Sequence, residues 1–529
     1  MEGFPAAQIR IVEILIVVSL VAVLARRFKL PYTVALVLAG LGLTLQTRLH
    51  LELTPNLVLA IFLPPLVFEA AFHLQFRNLQ EDISSILALA VPGMALSTAL
   101  VGGLLFVARV LPLPAALLFG ALISATDPVS VVATFRALGA PRRLTILVEA
   151  ESLFNDGTAI VVFQIMLGLV LAGSFSVAQG MTDFVRVSLG GLAIGLVFGY
   201  VVALMIGRID DYLIEITLTT VLAYGSYLVA EELHLSGVLA VVMAGLINGN
   251  IGPRRMSPST RIVLFNFWEY VAFLSNSFVF LLIGMNVVVA ELLRYLQPVL
   301  IAVAAVLMVR AATVYGLGAL VRLFKRNVPL SHLHVMVWGG LRGAVSLALA
   351  LSLPYAVAER RQLLAMAFGV VLFTLLAQAT TIPFVLRRLG FTRGADRSLA
   401  YQRLQGELLA ARAARQHIDR LHDEGALIPR AWTIVDEELK HREEQVLAAI
   451  DNLFATHPEF QVEVVTLARR EALRAQRAAL AALAREGLLS EEIMHQLQVE
   501  VDAALQTPHE VLQRAQEAET AQRAEAPPL

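Results

Sequence analysis

Residues 148–163 read Val-Glu-Ala-Glu-Ser-Leu-Phe-Asn-Asp-Gly-Thr-Ala-Ile-Val-Val-Phe. An aspartate, Asp156, stands beside an amide, Asn155, where an apolar run of membrane-spanning length begins. Ser152 precedes Asp156 by one helical turn and shares its face, and Glu151 lies just before it. An ionised Asp at the centre of a membrane helix is unfavourable by roughly 2.5–3.5 kcal/mol on insertion scales. A chain keeps such a group where it has a partner or a cargo. One neighbouring helix accounts for an isolated carboxylate, but here comparable polar groups recur in other spans.

The wider composition agrees with a polytopic membrane protein: 529 residues, 57% hydrophobic, with a mean hydropathy of +0.72. A net charge of −1 conceals two unlike regions. Residues 1–388 carry 25 Lys+Arg against 19 Asp+Glu, and residues 389–529 carry 16 against 23. The expected organisation is therefore a transmembrane domain, 1–388, and a polar tail, 389–529. Cysteine is absent, which excludes disulfides and thiolate metal sites. The N-terminus has no basic region followed by a cleavage site, so residues 9–25 are expected to be a retained first helix.

Apolar runs separated by charges, Pro and Gly predict about thirteen spans, near 9–25, 31–46, 55–73, 83–108, 113–135, 148–172, 181–207, 212–231, 236–249, 262–290, 298–321, 331–356 and 363–386. With the N-terminus outside, the inner loops and the start of the tail hold eighteen Lys and Arg and the outer loops six. The positive-inside rule then predicts an external N-terminus and a cytoplasmic tail.

Four spans hold groups that a lipid-facing helix avoids. The third has Pro64-Pro65, then Glu69 and His73 on one face; an interfacial pair near the cytoplasmic end explains these two as well as function does. The fifth has Ser124-Ala-Thr126-Asp127-Pro128 in mid-span. Pro128 removes a backbone donor and disfavours helical geometry at Asp127. A helix interrupted at that depth is tolerated only inside protein or beside a wet cavity, where its free ends suit an ion. The sixth is the opening stretch. The twelfth, Trp338-Gly-Gly-Leu-Arg342-Gly-Ala-Val-Ser346, buries an arginine among small residues and predicts a second break. Arg310, in the eleventh span, reads equally well as a snorkelling side chain. The fifth and twelfth spans lie seven apart and run in opposite directions, which is the pattern of two inverted six-helix repeats, spans 1–6 and 8–13.

On Thr126-Asp127-Pro128, Glu151-Ser-Leu-Phe-Asn-Asp-Gly157 and Gly340-Leu-Arg-Gly-Ala344, the chain over roughly residues 10–390 resembles the monovalent cation/proton antiporters of the electroneutral branch, the group of bacterial sodium/proton antiporters and mammalian sodium/proton exchangers. The resemblance implies an all-α fold with interrupted crossing helices and exchange of sodium, lithium or potassium for protons. It further implies cation ligation by Asp156, Ser152, Asp127 and the Thr126 carbonyl with Glu69 nearby, a structural ion pair between Glu151 and Arg342, and a homodimer in the cell membrane. Asn155 is counted with the ion site. The electrogenic branch has Asp at that place, whereas an amide hydrogen-bonds without titrating. No cofactor, enzyme activity or nucleic-acid partner is expected.

The tail is rich in Ala, Arg, Glu and Leu, with helices expected near 396–424, 430–455, 458–486, 491–506 and 508–525 and a capping box at Thr507-Pro508-His509-Glu510. Six of the eleven histidines lie there. Two other function classes fit the sequence less well. A channel requires a filter or continuous polar pore, and no filter-like repeat is present. An intramembrane aspartyl protease places its aspartates after Gly-x-Gly, and neither Asp127 nor Asp156 is so preceded.

Overall fold

A computed structural model describes residues 3–28, 30–46, 57–140, 142–173, 176–206, 208–209, 211–254, 256, 258–323, 329–391, 395–485, 488–490, 492–494 and 496–497. Its regular elements are all helical. The chain separates into two compact units, Met1–Phe391 and Thr392–Leu529.

In the first unit, α1 (Gly3–Phe28) and α2 (Tyr32–Gln46) precede a π-helical turn, Leu57–Phe62, that runs into α3 (Leu63–His73). The π turn falls just before Pro64-Pro65, where the missing N–H groups leave earlier carbonyls to be satisfied by a wider winding. The same device recurs at Pro92, where Leu89–Gly93 joins α4 (Phe76–Ala88) to α5 (Met94–Val107). Next come α6 (Leu113–Ser124), α7 (Val129–Leu138), α8 (Arg142–Ala172), α9 (Val177–Ile206), α10 (Tyr212–Glu232) and α11 (Gly237–Ile251). Gly139, at φ 64°, ends α7 in the left-handed conformation that glycine adopts without strain. Asp211 caps α10 through Leu213 N–H at 2.8 Å, and Ser236 caps α11 through Leu239 N–H at 3.3 Å. The unit is completed by α12 (Pro258–Met285), α13 (Val289–Arg294), α14 (Leu296–Leu323), α15 (Leu330–Trp338), α16 (Ala344–Leu351), α17 (Arg360–Phe373) and, through the π turn Thr374–Ala379, α18 (Thr380–Arg388).

Eight helical stretches among the described residues are long and apolar enough to cross a membrane, and Tyr32–Thr44, Val58–His73 and Gly237–Ile251 are shorter apolar helices. Of the eight, Leu113–Leu138 is the most buried, so the stretch with the Thr126-Asp127-Pro128 break lies at the centre of the unit. Around it the main core draws on α3, α5, α6, α8, α11, α12, α14, α16 and α17. The outward apolar side chains of α9, among them Leu189, Leu196, Val197 and Tyr200, are exposed, as a lipid-facing helix requires.

The second unit begins with α19 (Ala395–Asp423) and α20 (Pro429–Thr456), packed as a hairpin whose turn places Gly425 at φ 72°. Pro429 starts α20 where no intrahelical donor is lost. Trp432 stacks on His422 with ring centres 4.7 Å apart and donates to Asp419 at 2.9 Å. His422 is thus part of the hairpin's packing. A third helix, α21 (Pro458–Arg485), brings Phe460 against Tyr401 and Phe454. These helices fall where the sequence places the first three of the tail. The capping box at Thr507 and the expected helix 508–525 lie outside the described residues, as does most of 491–506.

Asp436 fastens the hairpin, with Oδ1 taking Arg415 Nε at 2.6 Å and Oδ2 taking Lys440 at 2.9 Å. Hydrogen bonds from Lys440 and Arg415 hold its carboxyl below the usual carboxylate range. Because the folded value is depressed, the pair stabilises the hairpin fully above the unfolded carboxylate range and loses that effect as pH falls through the folded value. Hydrogen-exchange mass spectrometry, corrected for intrinsic exchange, should show α19 and α20 losing protection on acidification. Asp436→Asn should lower protection at neutral pH and flatten that dependence, leaving peptides of the first unit unchanged.

Candidate ion site at the crossing of two interrupted helices

Residues 125–128 separate α6 from α7, and residues 339–343 separate α15 from α16. The two gaps meet: Asp127 N–H donates to the Leu341 carbonyl at 2.8 Å. Asp127 also closes a turn onto the start of α7, its Oδ1 accepting from Val129 N–H at 3.0 Å. Gly343 permits the approach, because a Cβ there would lie 2.6 Å from Asp127 Cβ and 2.7 Å from its Cγ.

The carbonyls of residues 124–126, at the end of α6 and just past it, each accept a hydrogen bond. Ser124 O takes Asn155 Nδ2 at 2.8 Å and an Arg342 guanidinium N–H at 2.5 Å. Ala125 O takes the same Arg342 nitrogen at 3.0 Å and Ser346 Oγ at 3.3 Å. Thr126 O takes a short hydrogen bond from Ser152 Oγ. Asn155 reaches Thr126 Oγ1 as well, at 3.2 Å. Buried backbone groups are nearly always paired, and side chains of α8, the second gap and α16 pair these. Thr158, one turn beyond Asn155, donates to Ala90 O in the π turn of α4 and α5 at 2.7 Å, and Arg342 N–H donates to Thr374 Oγ1 in the π turn after α17 at 3.2 Å.

Asp156, Asp127, Thr126, Ser152 and Glu69 all line one cavity enclosing about 100 Å³ of free space, with Asn276 and Ser346 among the other walls. Asp156 Oδ1 is buried and has no hydrogen-bond partner among the described residues. Glu69 bonds His73 at 3.2 Å across one turn of α3. Asn155 is not part of the cavity wall; its amide braces the break from behind.

The ion pair expected between Glu151 and Arg342 is not formed. Glu151 instead receives a two-pronged pair from Arg310 on α14, at 2.7 Å to Oε1 and 3.0 Å to Oε2. Arg310 also donates to Met336 O near the end of α15, from its NH2 group at 3.0 Å. The exchange of partners has a physical reason. A planar guanidinium can grip a carboxylate and a helix C-terminus at once, and Arg310 lies against Gly340, where a Cβ would stand 2.7 Å from Nε. Arg342 is drawn to the freed Ser124 and Ala125 carbonyls, the negative end of α6. A lone Arg in an apolar span gave the sequence no reason to prefer Arg310. Asn276 was missed too, although its setting, Leu274-Ser-Asn-Ser277, is a polar run inside a span.

No group of three or more His, Cys, Asp or Glu among the described residues is arranged to hold a metal ion. Helices interrupted at one depth, with paired carboxylates at the crossing, define a class: polytopic secondary transporters whose ion site lies at broken helix ends. Comparison with known proteins gives the family. The profile of the transmembrane sodium/hydrogen exchangers matches residues 14–388, and the chain belongs to that family. It is similar to the Na(+)/H(+) antiporter ApNhaP of Aphanothece halophytica, with 44% identity over 74% of this chain and 75% of the relative. The low-affinity Na(+)/H(+) antiporter NhaS1 of Synechocystis is 38% identical over 88% of this chain and 90% of that one. The fold is similar to that of the sodium proton antiporter MjNhaP1 from Methanocaldococcus jannaschii, with a TM-score of 0.61 and 23% identity, covering 74% of this chain and 100% of that one.

Removing one member of a buried ion pair leaves an uncompensated charge at a cost of about 3–5 kcal/mol. Arg310→Gln should therefore lower the melting temperature of the purified protein sharply, and Glu151→Gln with Arg310→Gln should recover part of the loss. Strictly additive shifts would deny the pairing.

Proposed function

We propose that the chain is a secondary active transporter that exchanges sodium, or lithium or potassium, for protons across the plasma membrane, with cation and proton competing for Asp156. The observation that carries this reading is the cavity shared by Asp156 and Asp127, in which Asp156 Oδ1 is buried with no partner among the described residues. Such an oxygen is stable when protonated or when it faces a cation, and one oxygen does not serve both at once. Carboxylate, hydroxyl and carbonyl oxygens suit a hard alkali cation. Of the walls, Asp127, Ser152 and Thr126 are the co-ligands and Glu69 stands nearby. The printed names of the relatives support sodium as the cation.

The exchange is electroneutral in this account. Asp156 gives up its proton when it takes the cation, so the loaded site carries the same charge in both half-cycles. Glu151 and Arg310 neutralise each other, and Asn155 has no proton to exchange. The transport domain comprises about thirteen crossings in two inverted six-helix repeats, with α9 as the connection between them. The N-terminus lies outside and the polar tail in the cytoplasm, following the loop charges. The protein works as a homodimer by alternating access in pH homeostasis, and the tail regulates transport or supports the dimer. A potassium-preferring antiporter of the same fold is the alternative, and it differs in the order of cations in the uptake test.

The test uses purified protein in proteoliposomes. Sodium, lithium or potassium uptake against an outward proton gradient should be saturable in the wild type and fall at least about a hundredfold in Asp156→Ala with folding retained. With pH and sodium equal on both sides, a potential imposed by potassium and valinomycin should drive no net sodium uptake, whatever its sign. Wild-type flux in Asp156→Ala excludes the mechanism, and potential-driven accumulation excludes electroneutrality.

A further inference from the structure

Glu149 lies two helical turns before Asp156 on the same face of α8, about 10 Å along the axis at 1.5 Å per residue. It lines the wall of the same cavity. Ser152 and Asp156 line the cavity further along α8, beside the four-residue break, whereas Glu149 sits toward the end where α7 finishes and α8 begins. There it meets Arg136, the last-turn arginine of α7, at 3.1 Å. The pair is unequal: the Glu149 side chain is 19% exposed and that of Arg136 is 61% exposed. The other charges around this mouth are Glu69 and His73 on α3 and Glu269 on α12. Glu69 already has His73 at 3.2 Å.

From this arrangement we infer that Glu149 and Arg136 form an adjustable electrostatic gate that sets how readily a cation reaches Asp156 from this face of the protein. The inference rests on the transport reading above. With Arg136 against it, Glu149 is screened and adds little to the field of the mouth. When the exposed arginine swings toward water, the half-buried carboxylate faces the cavity, and its field attracts either cargo, sodium or proton, toward the site. The long, solvent-exposed guanidinium arm is the mobile member, because the carboxylate is held by the wall of α8. Glu149 is a positioning residue for the arriving ion, since Asp156 rather than Glu149 carries the cargo.

A structural ion pair and a gate predict opposite patterns. If the pair only braces α7 on α8, removing either partner weakens transport alike. If it gates, Glu149→Gln removes attraction and Arg136→Gln unmasks it. At a separation of about 10 Å across partly wet protein, one unit charge changes the local cation concentration by about two- to fourfold. Half-saturating sodium should be measured from each face separately, in proteoliposomes of known sidedness. At the face bearing Arg136, Glu149→Gln should raise it about two- to fourfold, Arg136→Gln should lower it, and the double variant should return near the wild type. The opposite face should be unaffected, Glu149→Asp should behave as wild type, and all shifts should shrink in about 0.5 M choline chloride. Weakening by both single variants, or equal shifts at both faces, overturns the gate while the wild type still exchanges. A wild type that does not exchange overturns the transport reading and this inference together.

Discussion

A helix that stops inside a membrane leaves carbonyls and N–H groups that lipid cannot satisfy. Here that constraint is met by setting two interruptions against each other and dressing the exposed backbone with side chains from elsewhere. Asp127 N–H on Leu341 O joins the two gaps, and Asn155, Ser152, Arg342 and Ser346 take up the carbonyls of residues 124–126. Ser124 O and Ala125 O share Arg342 and have a second donor each, while Thr126 O depends on Ser152, so the crossing is held by overlapping bonds. The helices around it are fitted to the same purpose. The π turns near Pro92 and after α17 each present a group to the crossing's neighbours, Ala90 O to Thr158 and Thr374 Oγ1 to Arg342 N–H.

The charges are divided by the same logic. Glu151 and Arg310 form a closed pair that also ties α8 and α14 to the end of α15. Arg342 compensates backbone dipoles rather than a carboxylate. Asp156 has one buried oxygen with no partner among the described residues, and a second aspartate shares its cavity. Among the acidic groups lining the cavity, Asp156 is the one with a buried oxygen that no described residue pairs. In the proposed mechanism a proton or a cation meets that oxygen in turn.

Much of this was legible in the sequence because membrane breaks have strong local signatures. Asp127-Pro128 in mid-span and glycines flanking Arg342 marked both interruptions, and the turn-spaced Ser152 and Asp156 marked the face of α8 that meets them. Partner choice was not legible. Arg342 and Arg310 are both single arginines in apolar spans, and which one reaches Glu151 depends on how α14 packs against Gly340, a long-range fact. Asn155 illustrates the other limit: its adjacency to Asp156 suggested a ligand, but neighbours on a helix point about 100° apart, and its amide faces the break instead. The tail's first three helices were readable from composition and proline punctuation, and Lys440 sits one turn from Asp436, whereas the grip of Arg415 on Asp436 required the hairpin itself.

The central claim is that one carboxyl holds either a proton or a cation. Proton release on sodium binding tests it most directly, measured with a pH indicator on purified, weakly buffered protein at a pH where Asp156 is protonated, with binding quantified in parallel by calorimetry. The account predicts about one proton released per sodium bound, and neither release nor binding in Asp156→Asn. Sodium binding without proton release, or undiminished release in Asp156→Asn, would contradict it.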